Sequence, residues 1–263
     1  MNNIYDLDYH IAEIYDQTET NSDDVGLIRR FLQGRGPYRV LEPFCGTGRI
    51  LIPLAIDGHT LVGMDQSHGM LLQAQSKISQ LSDEKQARIK IIKADVTTCE
   101  WPSGFDLVIL GGNCFYELAT VKEQEGCIAK AVSSLKTEGY LYLDNNHMEG
   151  ELDKSWQDKG VVRKTLSGLC SDGTQVECTM ETIWYDVPNR LVRFLRKAII
   201  KYPDGQIITR ESIQQKHPVS VEEMKTWLEN HGFSIEQILG DRDGSPFTSS
   251  SNRAIFWALK SEE

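Results

Sequence analysis

The chain has 263 residues, 40% hydrophobic and 25% charged, with a formal net charge of −10. That composition lets a globular protein bury a core without staples or metal. The negative balance repels a phosphate backbone and disfavours a nucleic-acid partner; Arg193, Arg196, Lys197 and Lys201 lie close together, but alternating charge on a solvated strand explains them equally well.

The N-terminus, MNNIYDLDYH, lacks the basic and apolar regions of a signal peptide, and no apolar run approaches the length of a membrane span. Cys45, Cys99, Cys114, Cys127, Cys170 and Cys178 form no C-x-x-C pair and no zinc-type spacing with histidine. Reduced thiols in a cytoplasmic protein are therefore expected, with no membrane partner and no metal. Ile4, Leu7, Ile11 and Ile14 share one face of an amphipathic helix, so residues 1–37 are predicted as a helical segment, loose between Gln17 and Asp24.

From Tyr38 the pattern alternates. RVLEPF reads as a strand, then comes a glycine turn and a helix, RILIPLAIDG, ending at Gly58. HTLVGMD is a second strand, and a helix opens near Ser67. RIKIIKAD and FDLVILGG give the third and fourth strands, VKEQEGCIAKAVSSLKTEG a helix stopping at Gly139, and YLYLDNN a fifth strand. Alternation at this spacing predicts an α/β, doubly wound fold, with parallel strands and helices on both faces.

Between about Gly160 and Pro218 the chain reads as an antiparallel meander. QVECTMETIWYDV places Val176, Cys178, Met180, Thr182 and Trp184 on one face; Pro188-Asn189 and Asp204-Gly205 are the turns to RLVRFLRKAIIKY and QIITRESIQQK. SVEEMKTWLENHG is then a helix with a capping box, Ser220 with Glu223, and a glycine stop at Gly232. FSIEQILGD and SNRAIFWALK close the chain as strands. The predicted organisation is one mostly parallel, seven-stranded sheet over 38–150 and 218–263, with 151–217 inserted; Glu151–Lys159 and Asp241–Ser251 read as loose.

The informative stretch is VLEPFCGTGRI, residues 40–50, where Gly46 and Gly48 turn the chain between strand and helix. A dinucleotide fingerprint needs a third glycine where Leu51 stands, and a phosphate loop needs Gly-Lys-Ser/Thr where Gly48-Arg49-Ile50 stands. Both fail. Glu42, just before the turn, points instead to a cationic ligand group. Asp65, ending the second strand, can accept from two ribose hydroxyls, and Asp95, ending the third, from an adenine amino group.

The set E-P-F-C-G-T-G (42–48), G-M-D-Q-S (63–67), K-A-D-V (93–96) and F-D-L-V-I (105–109) resembles the class I S-adenosylmethionine (SAM)-dependent methyltransferases. The resemblance implies a Rossmann-like fold with SAM as cofactor. By it, Glu42, Phe44, Cys45, Gly46 and Gly48 would surround the methionine part of SAM. Asp65 would hold the ribose, Gln66 and Met70 would flank the adenine, Asp95 and Val96 would contact its edge and face, and Gly111 would approach the methionine end.

LGGNCFYEL (110–118), the N-terminal aromatic segment and the strand insertion are similar to the glycine and sarcosine N-methyltransferases. That narrower resemblance makes Tyr15 a lid residue over SAM and turns Asn113 toward the acceptor, with Asn146 and His147 beside it and 151–217 as cover on the acceptor side. The chain departs from that group at Glu117, where it has histidine, and at D-N-N-H (144–147), where it has arginine for the substrate carboxylate. The expected acceptor is a small molecule, methylated on nitrogen in preference to oxygen. A protein or nucleic-acid acceptor, or a silent SAM-binding subunit, are the alternatives. Transfer from an activated sulfonium requires alignment and water exclusion more than a base. His147, Glu117 and His10 are the candidates for one, and no catalytic residue is assigned.

Overall fold

The computed structural model describes residues 8–149 and 152–261. Ile4 and Leu7 lie outside that range. Two helices open the described chain, α1 (Tyr9–Thr18), capped by the Asp8 carboxylate, and α2 (Asp23–Leu32). There follow β1 (Arg39–Pro43), α3 (Leu51–Ile56), β2 (Thr60–Asp65), α4 (His68–Ile78), α5 (Asp83–Gln86), β3 (Ile89–Lys93), β4 (Phe105–Leu110), α6 (Val121–Ser134) and β5 (Leu135–Asn146). The antiparallel part is β6 (Val162–Leu169), β7 (Gln175–Asp186), β8 (Leu191–Lys201) and β9 (Ile207–Lys216); α7 (Val221–Asn230), β10 (Phe233–Leu239) and β11 (Arg253–Lys260) complete the chain.

The large sheet runs β10-β11-β5-β4-β1-β2-β3, seven strands as expected. β3, β2, β1, β4 and β5 pair in parallel, while β11 is antiparallel to both β5 and β10. Strand order reverses between β1 and β4, which opens a crevice at their carboxyl ends, the place where open α/β sheets take ligands. One face is covered by α6 and α7, with Ile128, Ala131, Met224 and Leu228 on Leu41, Val108, Leu141 and Phe256. On the other, Ile28 of α2 and Leu51 and Leu54 of α3 meet Val40, Leu61, Ile109 and Trp257. Phe31 stacks on Trp257 with ring centroids 3.8 Å apart.

The second sheet, β6-β7-β8-β9, is the predicted insertion. Ile11 and Ile14 of α1 are buried with Cys178, Ala198 and Ile200 on its inner face. The amphipathic stripe thus wedges α1 between this sheet and α4. Trp184 departs from its predicted face. The register shifts between Thr182 and Trp184, and the extra residue reverses the alternation, leaving Trp184 exposed with Arg193 over its ring. The helix expected to stop at Gly139 ends at Ser134 instead. Leu135 starts β5 directly, and the turn signal is spent inside that strand, where Glu138 takes a φ of 59°.

Both capping boxes, Thr120 with Glu123 and Ser220 with Glu223, are formed. At the second, Arg190 grips Glu223 with two bonds of 2.5 and 2.6 Å and holds its carboxyl down at about 2. Ser220→Ala is expected to cost about 1 kcal/mol, read as a lower midpoint in denaturant. No helix of the described residues is long and apolar enough to cross a membrane.

Candidate active site

The site begins where β1 ends. Phe44, Gly46 and Gly48 take φ of 68°, 53° and 78°, a left-handed run that carries the chain from β1 into α3. The Asp65 carboxylate at the tip of β2 accepts from the Gly46 amide at 2.9 Å and from the Ser67 amide at 2.8 Å. One acid therefore clips the turn and opens α4, which Ser67 caps. Gly63 has a different duty. A Cβ there would overlap the Leu51 side chain and lie 2.8 Å from Cys45 Sγ, so its lack of a side chain lets α3 close on β2.

Above these tips lies a cavity of about 530 Å³, within the usual range for small-ligand sites. Glu42, Phe44, Cys45 and Gly46 line it from β1 and the turn, and Asp65, Gln66 and Met70 from the start of α4. Asp95 and Val96 line it after β3, and Gly111 after β4. Asp95 is fixed by Thr97, whose amide and hydroxyl both donate to its Oδ1. Glu42 is the anomaly. It is buried, and its Oε2 has no hydrogen-bond partner among the described residues. Burial pushes its carboxyl up to about 8. Arg49 acts on this buried acid only at a distance, and among the described residues no cation pairs with it directly. An ammonium or sulfonium in the cavity would supply one, so the residues present fit a cationic nucleoside. Gly46 fits too: a Cβ there meets no protein atom within 4 Å and would stand in open space.

Three elements wall the cavity from the far side. Tyr15 lines it from α1, and Asp16 latches that helix to the glycine turn, accepting from Thr47 at 2.5 Å and pairing with Lys77 of α4 at 2.6 Å. After Gly111 and Gly112 a 3-10 turn, Cys114–Glu117, presents Cys114, Glu117 and Leu118. From the second sheet come Arg196 of β8 and Gln214 and Gln215 of β9. Glu117 is held by Gln214 at 2.9 Å and Lys216 at 3.0 Å, which ties the turn to β9.

Of the residues singled out from sequence, Tyr15, Glu42, Phe44, Cys45, Gly46, Asp65, Gln66, Met70, Asp95, Val96 and Gly111 share this one cavity. Gly48 stands behind it, packed toward Ile52 and Ala74. Asn113, Asn146 and His147 are not in its wall. The Asn113 side chain accepts from the Asn146 amide at 2.6 Å, and Asn146 accepts from Arg253 at 2.8 Å. His147 bonds the Ser251 carbonyl at 2.8 Å and pairs with Glu149. These are braces beneath the site. His10 is likewise engaged elsewhere, between Asp8 and Asp172.

Sequence reasoning missed Thr47, Arg49, Arg196, Gln214 and Gln215 as wall residues. Arg49 is held by Asp24 at 2.5 and 2.7 Å, and that buried pair meets Arg242, Asp144 and Arg253. Burial raises the Asp24 carboxyl, but the Arg49 bonds and the charges of Arg49 and Arg242 outweigh it and bring it below the usual carboxylate range.

Known proteins share the family and the fold. The family described as a methyltransferase domain matches residues 36–232. A protein of Geobacillus sp. (strain WCH70) named as a methyltransferase is 25% identical over 228 residues, 86% of each chain. The glycine/sarcosine N-methyltransferase of Aphanothece halophytica is 26% identical over 166 residues, 62% of this chain and 61% of that one. Among solved structures, a sugar N-methyltransferase from Streptoalloteichus sp ATCC 53650 superposes with a TM-score of 0.74 at 16% identity, covering 100% of this chain and 96% of that one. With its reversal point between β1 and β4 and a family match across three quarters of its length, the chain belongs to the methyltransferase domain family and is a class I SAM-dependent methyltransferase.

Proposed function

We propose that the enzyme methylates a nitrogen of a small molecule seated between the 3-10 turn and the inner face of the second sheet. The observation that carries the cofactor half is the buried, unpartnered Glu42 oxygen beside the glycine turn. It orients bound SAM by taking its cationic methionine end. Asp65 receives the ribose, Asp95 and Val96 the adenine, and Tyr15 and α1 close over the cofactor. SAM when bound supplies an activated methyl group that an acceptor attacks in line, so the chain's part is to bind, align and exclude water.

The roof supports a small acceptor. Tyr15 of α1 and Arg196, Gln214 and Gln215 of the second sheet wall a cavity of about 530 Å³ beyond the strand tips, a volume that suits a small molecule better than a duplex or folded protein. A nitrogen acceptor agrees with the names of the glycine/sarcosine and sugar N-methyltransferase relatives. Glu117, held by Gln214 and Lys216, is a carboxylate at the acceptor end able to accept from an amine and orient it. Asn113, Asn146 and His147 act at one remove, by fixing the chain after β4 and β5.

Transfer of labelled methyl from SAM is expected with a panel of small amines and not with peptide or RNA pools; label in those pools alone would overturn the small-molecule reading. Asp65→Ala is expected to weaken SAM binding at least about tenfold, through lost charge-assisted bonds worth about 1.5–3 kcal/mol each. An unchanged dissociation constant by calorimetry would remove Asp65 from the site.

A further inference from the structure

Arg196 stands out among the cations near the cavity. Arg49 is matched with Asp24 at 2.5 Å, Lys216 with Glu117 at 3.0 Å and Lys197 with Glu211 at 3.4 Å, while Arg210 on the same face is exposed to solvent. Among the described residues, no carboxylate lies within ion-pair distance of Arg196. It is half-buried on β8, opposite Met180 and Ser212, and Phe194 two residues before it faces Gln214. Opposed residues of antiparallel strands share a face. Arg196, Ser212 and Gln214 therefore look inward, toward the 3-10 turn. Arg196 also forms the wall shared with a second cavity of about 450 Å³, lined by Tyr9 and Ile11 of α1, by Arg210, which sits opposite Ala198 on the same face, and by two acids, Asp8 and Glu211, engaged with His10 and Lys197.

Acids line the cavity on two sides, Glu117 and Glu123 by the 3-10 turn as well as those at the strand tips, and Glu117 is paired with Lys216. Glu42, Asp65 and Asp95 gather at the strand tips, whereas Arg196 meets the space from the opposite wall. A half-buried guanidinium without a counter-ion is costly, and its planar fork suits a carboxylate or a phosphate. The geometry points to an acceptor that carries an anionic group as well as its nitrogen: Arg196 binds the anion, with Arg210 beside it, while the nitrogen faces the cofactor. This assignment rests on the small-molecule nitrogen reading above.

The test pairs amines with and without an anionic group: β-alanine with β-alaninamide, and O-phosphoethanolamine with ethanolamine, each assayed for label from SAM. The member with the anionic group in at least one pair is expected to have a kcat/KM at least about tenfold above the partner that lacks it, the worth of a charge-assisted pair of bonds. The two pairs separate carboxylate from phosphate. Arg196→Gln is expected to collapse that ratio toward one, through KM, and Arg196→Lys to restore part of it. SAM affinity, measured by calorimetry on each variant, reports that the fold and the cofactor site are intact. Equal use of the members with and without the anionic group, or a ratio unmoved in Arg196→Gln, overturns the assignment and leaves the nitrogen reading standing. No label in any amine overturns both.

Discussion

Glu42→Gln is expected to weaken SAM binding at least about tenfold at alkaline pH while raising the melting temperature of the cofactor-free protein there. The two effects have one cause. Burial lifts the Glu42 carboxyl from 4.5 to about 8, with the charges of Asp24 and Asp65 adding to the rise and Arg49 opposing it. Between those limits the folded protein keeps a proton that the unfolded chain has lost. Stability from this group is thus complete below about 4.5 and declines as pH climbs, by up to about 1.4 kcal/mol per unit, until about 8. Glutamine removes the penalty but also removes the charge that a cationic ligand needs. Against such a ligand the carboxylate form is favoured, so SAM binding near neutrality releases a proton and strengthens as pH rises toward 8. Calorimetry in buffers of different ionisation enthalpy reads both quantities. A wild-type affinity that is flat across this window would separate Glu42 from the cationic part of the cofactor.

Two glycines only 17 positions apart should fail in opposite ways. Gly46→Ala places a methyl group in the cavity's open space at a φ of 53°. The conformational cost is about 1–2 kcal/mol, but cofactor affinity is expected to drop about a hundredfold or more, because the added atom occupies ligand volume at a turn clipped by Asp65. Gly63→Ala should instead cost about 1–3 kcal/mol of stability through overpacking against Leu51 and Cys45. Its remaining folded fraction should bind SAM with a smaller loss. Denaturant titration beside calorimetry distinguishes the two; a Gly46→Ala protein that binds normally would put the cofactor elsewhere.

The features legible in sequence were those written within a few residues. The turn at 42–48, the acid ending β2 and the box at Ser220 and Glu223 need only local spacing and stand where it implied; Asp95 falls two residues past the end of β3. What was not legible depended on register and on distant partners. Trp184 changed faces because one extra residue entered β7, and nothing in QVECTMETIWYDV marks a bulge. Asn113 and Asn146 looked toward the acceptor in the motif, yet Arg253 reaches both of them from over a hundred positions away. Arg196 was visible as one of several basic residues on a strand. Only the pairing of β8 with β7 and β9, and the seating of that sheet on α1, distinguishes it from solvated neighbours such as Arg193.

β11 sits inside the large sheet, between β5 and β10, and its first residue, Arg253, bonds Asp144 and Asn146, 109 and 107 positions earlier. Pairings of such separation form late, since long loops must close before any contact repays them. During synthesis the glycine turn therefore leaves the ribosome well ahead of the brace that steadies the floor of the site. Until β11 slots in, the nascent enzyme carries a recognisable nucleoside motif without a rigid place to hold a nucleoside.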